Sequence, residues 1–122
     1  MHRPLFATAL VPLAVLAQGS FPTEFPEGSA PFEATALKEF LTGKTFSAKP
    51  VAGSEFRIQY KDSYAFFNSG AASDSGRWRT EGSSVCNEWK TFRASCSEMR
   101  LSGQVLYVKR ASNGEVVRLV PQ

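Results

Sequence analysis

The sequence predicts an all-β fold. It reads as an antiparallel up-and-down meander of about eight strands, a small barrel or curled half-barrel, with one short N-terminal helix. Three observations point there. After Gly43, apolar and polar residues alternate in short runs, most clearly in Phe56-Arg-Ile-Gln-Tyr60. The links between runs are short and rich in Gly, Asn, Asp and Ser, which makes neighbours in sequence antiparallel neighbours in space. Both tryptophans and both cysteines fall between Gly76 and Cys96, in one strand feeding one hairpin.

The elements follow in order. Met1-His-Arg-Pro is a short basic start, and Leu5–Ala17 is a mostly apolar run of thirteen residues. A membrane-spanning helix needs about 20, so residues 1–17 read as a signal peptide cleaved before Gln18, and the protein is expected to be secreted or periplasmic rather than membrane-spanning. No cysteine stands at the cleavage point to carry a lipid. Residues 18–32 hold Pro22, Pro26 and Pro31 and read as a flexible Pro-rich leader. Residues 33–122 form a single small β-domain. Its helix, Glu33–Leu41, puts Leu37, Phe40 and Leu41 on one face and stops at Gly43. Two turns do not hold alone, so this stripe is expected to lie against the sheet or to plug one end of a barrel.

Strands are expected at Lys44–Ala48, Phe56–Tyr60 and Tyr64–Phe67, with Asn68–Ser75 as a mobile polar loop. Gly76–Thr80 places Trp78 inward and Arg77 and Arg79 outward. Gln104–Arg110 and Glu115–Val120 are the last strands, joined through Ser112-Asn-Gly114 and ended by Pro121. In the hairpin between, a turn centred on Thr91 sets Trp89 opposite Arg93 and Cys86 opposite Cys96. Two cysteines in an exported chain favour a bond, and a narrow, non-hydrogen-bonded pair suits one. Alternation then gives one face Val85, Asn87, Trp89, Arg93, Ser95, Ser97, Met99 and Leu101, taken as core. Phe92 falls on the outer face with both cysteines, and Arg93 reaches solvent or lies over the Trp89 ring.

Signal cleavage removes His2, the only histidine, and with it Ser-His-Asp and Cys-His catalysis and histidine-bearing zinc sites. Glu88 and Glu98 share the outer hairpin face but stand about 14 Å apart at about 3.4 Å per residue, too far for a glycosidase pair. No catalytic residue, metal or cofactor is therefore expected. Residues 77–122 carry eight Lys/Arg against four Asp/Glu, while residues 18–76 carry five against seven. Arg77, Arg79, Lys90, Arg100 and Lys109 thus compose a basic outer surface suited to anionic glycans, lipid headgroups or an acidic protein. Phe56, Tyr60, Trp78, Trp89 and Tyr107 either fill the core or line an apolar pocket. Inward aromatics and export argue against nucleic acid.

The pattern Leu41-Thr-Gly-Lys-Thr45, Gly76-Arg-Trp78, Cys86-Asn-Glu-Trp89, Cys96 and Asn113-Gly-Glu115 resembles a group of small exported bacterial β-domains of largely uncharacterised function. More loosely it resembles the calycin architecture, although lipocalins carry Gly-x-Trp near the start of the barrel. The group implies no catalytic residues. Two functions stay open. One is a non-enzymatic exported interaction module, binding an envelope component or a partner protein through its basic face, with hydrolase inhibition as one form. The other is a carrier of a small apolar ligand inside the barrel.

Overall fold

The computed structural model of the chain describes residues 20–70 and 72–122. The expected signal segment, residues 1–17, lies outside them. A two-residue strand, Ala30–Pro31 (β1), precedes one helix, Ala34–Leu41 (α1). Eight longer strands follow: Thr45–Ala48 (β2), Phe56–Tyr60 (β3), Tyr64–Ser69 (β4), Ala72–Glu81 (β5), Ser84–Trp89 (β6), Ser95–Ser102 (β7), Val105–Lys109 (β8) and Val116–Pro121 (β9). Each pairs antiparallel with the next, and β2 closes on β9 through Phe46↔Pro121 and Ser47↔Val120. The result is a closed eight-strand meander barrel, which has no long unpaired edge. β1 takes the stretch of β7 that β6 leaves free, pairing Ala30 with Leu101.

Period-two alternation puts Phe46, Phe56, Ile58, Tyr60, Trp78, Val85, Met99, Leu106, Val108, Val117 and Leu119 inside. The registers set the links 61–63, 82–83 and 103–104 at one end, here the lower. The helix closes that end as its apolar stripe requires, with Leu37 and Leu41 fully buried. Thr80 Oγ1 donates to Ala34 O at 2.8 Å and Lys38 Nζ to Asp62 O at 3.1 Å, which fix the helix across the opening. Gly43, at φ 85°, turns the chain into β2 and donates its N–H to Tyr60 O. Among the described residues no helix is long and apolar enough to cross a membrane.

Cys86 and Cys96 are bonded and directly opposed, their Cα atoms 4.0 Å apart, and Val85, Asn87 and Met99 face inward as the alternation predicts. Four expectations change. Most of the expected loop Asn68–Ser75 is ladder, residues 68–69 and 72–75 pairing from Phe66↔Ser75 to Ser69↔Ala72, because backbone pairing is indifferent to small polar side chains that face water. The 18–32 segment, expected as a leader, is bonded to the barrel from Pro22 onward: Val116 donates its N–H to Pro22 O, and Phe25 lies under Arg100 and Lys109. Pro121 itself cannot donate, yet the closure continues past it, since Gln122 donates its N–H to Thr45 O. Trp89 does not pair with Arg93; the β6–β7 ladder ends at Asn87↔Ser95. Asp74 is the reason, because its carboxylate draws the N–H groups of Thr91 and Phe92 at 2.9 and 2.8 Å. With alternation broken there, Phe92 turns over the barrel end instead of onto the outer face.

Candidate functional site: the barrel lumen

The upper end carries the links 49–55, 90–94 and 110–115 and is not covered by a helix. A cavity of about 390 Å³ opens there and runs into the barrel. Its two sides differ chemically. β3, β4, β8 and β9 supply an apolar side with Phe56, Ile58, Tyr60, Phe67, Val108 and Leu119. β6 and β7 supply Val85 and Met99 at depth, then Asn87, Ser95 and Ser97, with Arg93 above them at the mouth. No acid, imidazole or thiol is among the lining residues.

Asn87 is the unusual member. It is only 7% exposed, and among the described residues its Nδ2 is a buried side-chain nitrogen without a hydrogen-bond partner. Burying an amide without compensation costs about 1–3 kcal/mol, so such an atom calls for an explanation. Complete burial also holds the Tyr60 phenol well above its ordinary range, and it is neutral at physiological pH.

The mouth is built by two clamps. Glu115, 1% exposed, accepts from Val51 N at 2.6 Å and Ala52 N at 3.1 Å, while Arg110 Nη1 donates to Ala52 O and lies 3.8 Å from Glu115 Oε1. This stitches the β2–β3 link to the β8–β9 link. Asp74 does the same for the β6–β7 link. Partial desolvation pushes its carboxyl up, but the N–H groups of Phe92, Thr91, Ser75 and Lys90 outweigh that and hold it below its ordinary value. The rim is aromatic: Phe67 meets Phe56, Trp89 and Phe92 at ring distances of 5.3, 6.0 and 5.6 Å. Arg110 is committed to Ala52 and Glu115. Arg93 is exposed and has no carboxylate partner among the described residues.

Of the aromatic candidates, Phe56, Tyr60 and Trp89 line the cavity together. Trp78 lies below it, stacked edge-on to Tyr60 at 4.9 Å, under Lys38, its Nε1 donating to Lys61 O at 2.7 Å. Tyr107 stands on the outer wall, since Leu106 and Val108 on either side of it point in. The basic candidates do not form one free patch. Arg79 pairs with Glu81 at 2.6 Å and Glu88 at 3.4 Å, and Arg100 with Glu98 at 2.8 Å. Lys90 sits 5.8 Å from the Tyr64 ring and Lys109 5.6 Å from that of Phe25. Arg77 is exposed on β5, its neighbour across the ladder being Glu88.

Asn87 and Arg93 were placed on the inward face by alternation but not marked as site residues. The signal was present: a lone carboxamide between Val85 and Trp89 on an inward face has to find a partner. No family model, curated protein or solved structure matches this chain.

Proposed function

We propose that the protein is a non-enzymatic binder of a small organic ligand held in the barrel lumen. The observation that carries this is the open 390 Å³ cavity with a buried, unpartnered amide in its wall. A cavity of this size lies within the range of small-molecule sites, and its mostly apolar lining with few polar groups is their usual chemistry. The lining places no carboxylate or imidazole beside its serine hydroxyls to activate them, which favours a binding reading. Export and a relation to the calycin barrels belong to the same reading, a single disulfide in a small domain being suited to an oxidising compartment.

Native mass spectrometry of the protein purified from its source tests this. A co-purifying mass of a small molecule, released on denaturation, is the expected result. A bare chain that also takes up no small aromatic or aliphatic compound at millimolar concentration overturns it. A second reading, an interaction module such as a hydrolase inhibitor, is favoured by Phe66, which stands 44% exposed on the outer wall beside Tyr64. The pairing of Arg79 and Arg100 with acids leaves that reading less free charge to work with.

A further inference from the structure

We propose that the lumen ligand is a compact organic carboxylate, its acidic head on the β6–β7 side against Asn87 and Arg93 and its apolar body directed down toward Val85 and Met99. This rests on the lumen being a ligand site and assigns the chemistry of what enters it.

Size comes first. A cavity of about 390 Å³ lies toward the small end of small-molecule sites, which favours a compact occupant. Polarity comes next. Asn87 lines the cavity, and its Nδ2 is a donor without an acceptor among the described residues, a need that a ligand oxygen reaching it would meet. Ser95, the cross-strand partner of Asn87, adds a hydroxyl to the same side. Arg93 then decides the charge. Arg93 lines the mouth on this side with no carboxylate partner among the described residues, whereas Arg110 across the mouth is held by Glu115. A cation unpaired at the mouth of an apolar site, above a buried unpaired donor, matches an anionic acceptor. The opposite side offers mostly rings and aliphatic carbons, with the Tyr60 phenol among them, which suits a largely hydrocarbon body.

The test uses 1-naphthoate and octanoate with their neutral amides, 1-naphthamide and octanamide, titrated calorimetrically into the full chain and into the Arg93→Gln and Asn87→Leu variants. The wild-type protein is expected to bind at least one acid about tenfold or more tightly than its amide. Arg93→Gln, at an exposed position, should erase that preference. Asn87→Leu should weaken acid and amide alike while raising the thermal midpoint of the ligand-free protein, because it removes an unsatisfied buried group. Equal affinity for acid and amide, or a preference that survives Arg93→Gln, overturns the carboxylate assignment and leaves the lumen a ligand site. Failure of all four compounds to bind overturns both.

Discussion

Alanine at position 76 is expected to unfold a large part of this protein at temperatures the native chain tolerates. Gly76 sits opposite Trp89 in the β5–β6 ladder. A Cβ there would lie 2.1 Å from Glu88 O, 2.7 Å from Glu88 C and 2.8 Å from Trp89 Cα. Non-bonded contact is comfortable at about 3.5 Å, so the shortfall is more than an ångström. The atoms in the way are backbone, held in the β5–β6 ladder at Arg77↔Glu88 and Gly76↔Trp89, and no rotamer change can relieve the clash. Overpacking usually costs about 1–3 kcal/mol when side chains yield; here the cost is set at about 3 kcal/mol or more. For a domain near 100 residues each kcal/mol moves the midpoint about 4–8 °C, which gives a loss of about 12 °C or more in Gly76→Ala. Gly82→Ala is the control. Gly82 has φ 57° and nothing within 4 Å of a built Cβ, so it pays only for left-handed backbone, about 1–2 kcal/mol. Paired thermal and urea melts read both variants. A Gly76→Ala protein within about 0.5 kcal/mol of wild type would refute the reasoning.

Three further outcomes follow from the clamps and the bridge. Replacing Cys86 and Cys96 together by Ala should cost about 3 kcal/mol in urea denaturation, the chain-entropy value for an eleven-residue loop; no change in midpoint would count against a structural bond. Glu115→Gln leaves one acceptor where Val51 and Ala52 each donate, and should destabilise by about 1.5–3 kcal/mol; unchanged amide exchange at residues 51 and 52 would contradict the clamp. Asp74 is depressed in the folded state, so its hold on Thr91 and Phe92 is complete above its unfolded value and is lost as pH falls through the lower folded one. Protection of those two amides should therefore be high at pH 5, weaken only below pH 3.8, and be absent throughout in Asp74→Ala. Protection that ignores both pH and the substitution would refute this.

Much of the barrel could be read from residues. Half-buried strands must alternate, so Phe56–Tyr60 and the inward face of Val85, Asn87 and Met99 were legible. A hairpin's pairing partners share a constant sum, so Cys86 opposite Cys96 was too. Closure was not. It rests on Phe46 and Ser47 meeting Val120 and Pro121, the longest separation of any strand pairing among the described residues, and no local pattern encodes that meeting. The mouth was illegible for a related reason. Asp74 looked like a loop residue, and only its position across from Thr91 and Phe92 shows that it pulls the hairpin tip off register. Aromaticity alone suggests a core or pocket role for Tyr107, although its own neighbours Leu106 and Val108 are the inward pair. Charge counts likewise registered Arg79 and Arg100 without the glutamates two residues away that pair with them.

Whether ligand enters the barrel decides between a carrier and an interaction module. Two-dimensional NMR of the labelled protein titrated with 1-naphthoate asks this directly. The Asn87 side-chain amide and the Met99 methyl should shift together, while the Arg77 and Tyr107 signals on the outer wall stay in place. Shifts confined to the outer wall, with Asn87 and Met99 unmoved, would contradict it.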